Sequence, residues 1–240
     1  MLPELAQESD AVSTEHRQWW TEYLTSHEQH FLNVISLLAE CGDPDSLLDV
    51  GNFPGHFTLL TSRLGFRVAG LDLAPERAAE LWTRNGIDQR QLDIETDDFP
   101  FAEQSFDVVV LTEVFEHLRV NPMRALREAR RVLRPGGHFI LSVPNVSPLH
   151  RVRFLLGRDY QGDIVKEFEK LERLGHMGHF RLYSRNEIER ILEYAGFDVE
   201  VVRVAGEFPG GRRRFVRYLG PWRNRFRSHL YTLSQRPWGA

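Results

Sequence analysis

Leu47-Leu48-Asp49-Val50-Gly51-Asn52-Phe53-Pro54-Gly55 is the stretch on which the reading of this chain turns. A short apolar run enters, an acid and a glycine end it, and a second glycine opens a helix. This is how a parallel α/β sheet makes a nucleotide-binding turn. Glycine at a strand's carboxyl end lets a ligand approach the backbone, and the next helix offers N–H groups with no partner inside it. Asp49 is placed to pair with a cationic or hydroxyl-bearing ligand. Alone the stretch says little; its strength comes from the residues around it.

Moving outward, strands and helices alternate, the pattern of a parallel sheet covered on both faces. Strands are expected over Ser46–Val50, Arg67–Leu71 (closed by Asp72), Gln89–Leu92 (closed by Asp93), Phe106–Leu111, His138–Val143, Phe197–Val204 and Leu230–Ser234. Helices are expected from His56 to Leu64, from Pro75 to Asn85-Gly86 and from Pro122 to a stop at Pro135-Gly136-Gly137. A further helix follows the capping box Ser184-Arg185-Asn186-Glu187. Ahead of the first strand, Ser13 or Thr14 is expected to cap a helix through Trp19, Trp20 and Tyr23. A second amphipathic segment there carries Phe31, Val34, Ile35 and Leu38. Residues 144–183 break the rhythm as a long His-, Arg- and Gly-rich insertion on the carboxyl edge, where ligands bind.

Composition narrows the class. At 42% hydrophobic and 27% charged the chain reads as an ordinary globular protein. No apolar run approaches the roughly 18 residues of a membrane helix. The acidic first ten residues lack a signal-peptide core, and the lone Cys41 fits a reducing compartment, so a cytoplasmic location is expected. Charge is asymmetric: residues 208–240 hold eight Arg and no Lys, Asp or Glu. Subtracting these eight from 30 basic side chains leaves 22 against 34 acidic ones in residues 1–207, a net of −12. Such a body repels nucleic acid while the tail attracts anions.

The series of motifs resembles the class I S-adenosylmethionine-dependent methyltransferases, especially their ubiquinone-biosynthesis-like and small-molecule group. The matching pieces, in order, are Leu48-Asp49-Val50-Gly51 with Gly55, Gly70-Leu71-Asp72-Leu73 and Leu92-Asp93-Ile94. Then come Pro100-Phe101, Ser105 to Val109, Glu113 to Leu118, Arg131 to Gly137 and Ala195-Gly196-Phe197. The resemblance implies a Rossmann-like seven-stranded, mostly parallel sheet with helices on both faces and an antiparallel last strand. It divides the chain into a helical cap (1–42), a cofactor-binding core (43–204) and a basic aromatic segment (205–240) that completes the sheet. It implies S-adenosylmethionine as cofactor. Asp49, Gly51 and Gly55 would face its methionine part, Asp72 with Leu73 its ribose, and Asp93 with the Ile94 backbone its adenine. Thr112 and Glu113 would lie beside the sulfonium. An acid about twenty residues past the first glycine is also where a ribose diol needs an acceptor.

One departure stands out. Phe53-Pro54 occupies the middle of a turn where the family usually has glycine, and a Cβ restricts positive φ while Pro fixes its own. Either the loop is reshaped or Phe53 stacks on the cofactor's edge; a non-catalytic binder of S-adenosylmethionine or S-adenosylhomocysteine remains an open reading. A dinucleotide oxidoreductase is rejected, because Gly51 and Gly55 lack the intervening glycine of the Gly-x-Gly-x-x-Gly fingerprint.

Glu113-x-x-Glu116-His117 places three ligand-type side chains within five residues where the fourth strand passes into its loop, and His176 and His179 lie further on in the insertion. The resemblance implies a divalent metal on Glu113, Glu116, His117 and His179, as in some ubiquinone-pathway and terminal-ribose RNA methyltransferases. Mixed carboxylate and imidazole ligands suit Mn²⁺, Fe²⁺ or Zn²⁺ better than Mg²⁺. Two other readings stay open: His117 or His179 as a metal-free base, and a purely structural role. Trp19, Trp20 and Tyr23 read either as part of a lid or as packing on the sheet.

The expected activity is O-methylation of a small-molecule, sugar or lipid-linked acceptor, with terminal ribose methylation of RNA as an alternative that the −12 body opposes. The Arg-rich tail with Phe215, Tyr218, Trp222, Phe226, Tyr231 and Trp238 suits peripheral contact with the inner membrane surface, or simply seals the sheet edge. Oligomeric state is not legible.

Overall fold

The computed structural model describes residues 2–14, 16–158, 164–174, 178–206 and 228–239. The chain opens with a short helix α1 (Leu2–Leu5) and a 3₁₀ segment (Ala6–Ala11), then α2 (Arg17–Ser26) and α3 (Glu28–Leu38). Strands and helices then alternate through β1 (Ser46–Val50), α4 (His56–Arg63), β2 (Arg67–Asp72), α5 (Ala79–Asn85), β3 (Asp88–Gln91), β4 (Phe106–Thr112), α6 (Pro122–Val132) and β5 (Leu133–Pro144). After β5 come α7 (Pro148–Leu155), α8 (Ile164–Leu174), α9 (Arg185–Tyr194), β6 (Asp198–Ala205) and β7 (His229–Gln235). No helix among the described residues is long and apolar enough to cross a membrane.

The seven strands form one sheet in the order β3-β2-β1-β4-β5-β7-β6. All pairings are parallel except those of β7, which runs antiparallel to both β5 and β6 and lies between them. Strand side chains alternate between two apolar layers. Leu48, Val50, Val109, Leu111, Phe139 and Leu141 face α6 and α9. Leu47, Val108, Val110 and Ile140 face α3, α4 and α5, together with the buried Trp20 and Leu24 of α2. Burial on both faces is why these strands read as continuous apolar runs. The order reverses between β1 and β4, so the crevice at their carboxyl ends is the topological switch point where ligands bind.

Several expectations are corrected. Ser13 does not cap α2; its hydroxyl bonds His16 Nδ1 at 2.8 Å, and the helix starts at Arg17 with no side-chain cap. The helix expected from Pro75 begins as a 3₁₀ turn (Pro75–Ala78) before α5. β5 starts at Leu133, not His138. Leu133 pairs with Phe106, the register then slips, and His138 resumes against Val108, so Pro135-Gly136-Gly137 is an irregular step inside the strand. The 144–183 insertion holds two helices rather than one loop. In α9, by contrast, the Ser184/Glu187 capping box forms in both directions.

Candidate active site

The turn after β1 is built by its glycines. Gly51 sits at φ +70°, donates its N–H to Leu71 O at 2.7 Å, and a Cβ there would lie 2.4 Å from Val114 Cγ2. Gly55, at φ +94°, caps α4, and a Cβ there would lie 2.6 Å from the Trp82 ring. Between them the Phe53–Pro54 peptide is cis. The Pro54 carbonyl accepts the buried Trp20 indole N–H at 2.8 Å, so α2 is hydrogen-bonded to the Gly51–Gly55 turn. Phe53 turns its ring to that cap: Trp19 stacks on it (5.4 Å, 10°), His16 meets its edge and the Arg77 guanidinium lies 4.0 Å from its centroid. Trp20 packs in the core, whereas Trp19 is exposed and stacks on Phe53 of the turn.

Three acids line the carboxyl edge. Asp49 is buried and accepts the Thr58 hydroxyl at 2.6 Å; burial pushes its carboxyl up to about 7. Asp72 accepts the backbone N–H groups of Phe53 (3.2 Å) and Ala74 (2.9 Å), and pairs with Arg77 at 2.9 Å. Its carboxylate is therefore fixed against the Gly51–Gly55 turn. Asp93, half-buried at the next strand end, accepts the Glu95 N–H at 2.9 Å. Ile94 sends its side chain into the core, leaving only its backbone for a ligand, and the Leu73 side chain points to solvent. Asn52 and Gln89 exchange amide hydrogen bonds at 2.8 and 3.0 Å beneath the turn. Gly70 makes the room, since a Cβ there would lie 2.2 Å from Gln89 Oε1.

Beyond β4 the Glu113–His117 segment separates into two polar nests. Glu113, at φ +56°, occupies the left-handed region that disfavours a side chain. Its carboxylate accepts the Ser142 hydroxyl at 2.8 Å and lies 3.1 Å from His229 Nε2. His30 Nδ1 lies 4.0 Å away and contacts Tyr231 Oη at 3.1 Å. Although burial works against ionisation, the His229 hydrogen bond and charge hold Glu113 down to about 2, and Glu113 in turn raises His229. His30, buried beside them, is pushed down to about 4.

The second nest is Glu116, His117 and His179, whose donor atoms all lie within 4.8 Å of one another. The Glu116 side chain is fully buried with no hydrogen bond on either oxygen, and His117 Nε2 and His179 Nε2 stand 3.8 and 3.9 Å from its Oε1. Burial, then the Glu113 charge, push the Glu116 carboxyl well above its usual range. His117 Nδ1 lies 3.1 Å from Gly178 O, which makes Nδ1 the donor and directs Nε2 to Glu116. A buried carboxylate with two imidazole nitrogens turned on it fits a divalent cation. With bonds of about 2.1 Å, donors on one ion stand about 3.0–3.4 Å apart, so the two Glu–His separations need to close by about 0.5–1 Å. Glu113 is not among them: its carboxylate belongs to the other nest. Thr112 is half-buried at the end of β4. His176 and the Arg-rich stretch 207–227 lie outside the described residues.

Sequence reasoning missed His229, His30 and Ser142, which reach Glu113 from three other elements, Tyr231, which meets His30, and Arg77, the partner of Asp72. Only Arg77 left a local trace, five residues after its acid.

A family of methyltransferase domains matches residues 18–202. The ubiquinone biosynthesis O-methyltransferase of Xanthomonas campestris is 30% identical over 161 residues, covering 64% of this chain and 67% of that one. A Mycolicibacterium smegmatis protein named "Probable S-adenosylmethionine-dependent methyltransferase" is 33% identical over 173 residues, 72% of this chain and 59% of that one. Among solved structures, an S-adenosylmethionine-dependent methyltransferase from Mesorhizobium loti superposes with a TM-score of 0.61 at 20% identity, covering 85% of this chain and 96% of that one. With that family matching well over half of its length, this chain belongs to the class I S-adenosylmethionine-dependent methyltransferases.

Proposed function

We propose that this enzyme moves the methyl group of S-adenosylmethionine to a hydroxyl oxygen of a small-molecule or lipid-linked acceptor. Asp49 receives the cationic methionine end, with Gly51 and Gly55 giving backbone access. Asp72 takes the ribose hydroxyls, Asp93 and the Ile94 backbone the adenine edge, and Thr112 and Glu113 flank the sulfonium. Phe53 serves as a wall of the turn rather than as a face for the cofactor, because its ring is engaged by Trp19 and Arg77.

The observation that carries this reading is Glu116, a buried carboxyl group without a hydrogen bond, facing two imidazoles at the reacting end of the crevice. Transfer from a sulfonium is an in-line displacement. The acceptor oxygen attacks the methyl carbon, the C–S pair returns to sulfur as a thioether, and the hydroxyl proton leaves to a base. His117 or His179 accepts that proton, with Glu116 keeping the rings together. A divalent cation on the same trio would supply a lower pKa at the bound hydroxyl.

The test is single-turnover transfer of labelled methyl to cell extract, separated into lipid and aqueous fractions. The reading expects label in an alkali-stable ether, and a fall of about 10²–10⁴-fold in Glu116→Gln and His179→Gln with binding of S-adenosylhomocysteine retained. Label appearing on nitrogen, or full activity in both variants, refutes it. Stabilisation of the parent by Mn²⁺, lost in Glu116→Gln, reports the cation separately.

A further inference from the structure

Asp72 has more partners than its place at the end of β2 requires. Each of its oxygens takes one backbone N–H, Oδ1 from Ala74 at 2.9 Å and Oδ2 from Phe53 at 3.2 Å. Those two bonds orient the buried carboxylate from both sides. Arg77 adds a third, with Nη2 on the same Oδ1 at 2.9 Å. The guanidinium is also held without Asp72. Its Nε donates to Ala74 O at 3.0 Å, and its central carbon lies 4.0 Å from the centroid of the Phe53 ring, on which Trp19 stacks. The Arg77 backbone is tied to the amino-terminal cap, its carbonyl accepting the Ser13 N–H at 3.3 Å. A carboxylate offers about four acceptor positions, two on each oxygen. Two are taken on Oδ1 and one on Oδ2, which leaves a single position, on Oδ2. A ribose presents two adjacent hydroxyl donors, and gripping both takes two positions.

We propose that Arg77 competes with a ribose hydroxyl for Oδ1 of Asp72, and so sets how tightly the cofactor is held and how fast its spent form leaves. This rests on the assignment of Asp72 to the ribose given above. The exchange is one for one. A hydroxyl takes Oδ1 as the Arg77 Nη2 leaves it, and the same N–H returns when the nucleoside goes. A short swing of the guanidinium suffices, because its Nε bond to Ala74 O and its contact with Phe53 do not depend on Asp72. Nor is Arg77 needed to aim the carboxylate, since the Phe53 and Ala74 N–H groups already do so. Its effect is on affinity. A charged donor is a better partner for a carboxylate than a neutral hydroxyl, so an arriving nucleoside displaces the stronger of the two. Methyl donor and demethylated product carry the same ribose. The competition therefore weakens both alike and hastens product release, a step that often limits turnover. A residue that merely supported Asp72 would act with the opposite sign, because its removal would loosen the cofactor.

The experiment measures S-adenosylhomocysteine binding by calorimetry and its release by stopped flow, for the parent, Arg77→Met and Arg77→Gln. Methionine keeps an apolar stem and a sulfur against the Phe53 ring while removing every side-chain N–H. Both variants are expected to bind about three- to tenfold more tightly, with release slowed by a similar factor. An analogue with hydrogen in place of both ribose hydroxyls does not compete with Arg77, so its affinity should be the same in parent and variants. Without ligand the variants should melt lower than the parent, because the Asp72 charge loses its partner, yet gain more from added S-adenosylhomocysteine. Unchanged or weaker S-adenosylhomocysteine binding in Arg77→Met and Arg77→Gln overturns the proposal, as does an equal tightening of the analogue. The two levels of failure differ in their signature. If Arg77→Met holds the analogue as well as S-adenosylhomocysteine, Asp72 does not take the ribose, and that assignment falls together with the proposal. If it discriminates against the analogue but gains no affinity for S-adenosylhomocysteine, the competition alone is refuted.

Discussion

With Asp49 receiving the methionine end, as proposed above, cofactor affinity should depend on pH. Burial raises the Asp49 carboxyl to about 7, and the Thr58 hydroxyl only partly offsets that. Near pH 6 about one molecule in eleven carries the charge, and near pH 8 about ten in eleven, so a cation that selects the ionised form binds about tenfold more tightly at pH 8. Calorimetry with S-adenosylmethionine in buffers of different ionisation enthalpy should show release of about 0.9 proton at pH 6, vanishing above pH 8. The sign for stability is the opposite. The folded pKa lies above the unfolded value of 3.8, so the fold loses stability as pH rises from about 4 through 7. The loss approaches about 4 kcal/mol, and a bound cation recovers part of it. Asp49→Asn should therefore raise the melting temperature of the cofactor-free protein at pH 8 while weakening the cofactor and flattening its pH profile. A pH-independent affinity in the parent, or the same slope in the Asn variant, refutes the reasoning.

Gly51→Ala combines a left-handed backbone with a Cβ 2.4 Å from Val114 Cγ2. It should cost about 2–4 kcal/mol, seen as a melting temperature lower by roughly 5–15 °C, with cofactor binding lost. His229→Gln removes the imidazole that holds Glu113 down to about 2. The depressed Glu113 contributes stability that is present above its unfolded pKa and lost as pH falls toward 2. The raised His229 contributes stability that is present below its unfolded pKa and lost as pH rises through its folded one. The stability gap between parent and variant in urea should peak between about pH 4.5 and 6.5 and narrow on both sides; a flat gap would rule out the ion pair.

Much of this architecture is written in local patterns. Two-sided burial shows in Leu47–Val50 and Phe106–Leu111, Gly51 and Gly55 mark positive φ, and Ser184 with Glu187 announces α9. Other features were illegible for physical reasons. Gly136 and Gly137 look like a stop, yet strand pairing on both sides carries β5 across them, with tertiary contact overriding local propensity. Ser13 is a good capping residue but spends its hydroxyl on His16. The site divides along the same line. Asp49, Asp72 and Asp93 each lie within two residues of a strand's carboxyl end and can be placed by counting. Whether Glu113 joins Glu116 or turns away depends on His229, which comes from a strand 116 residues later in the chain. Residues that meet only across the sheet leave no spacing to read.

Because β7 slots between β5 and β6, the strand of the seven that leaves the ribosome last is an interior one. Until residues 229–235 emerge, β6 has no hydrogen-bonded neighbour in the sheet, and Glu113 sits in its awkward backbone well without His229 to answer it. A nascent chain halted before that point exposes two naked strand edges to chaperones and proteases.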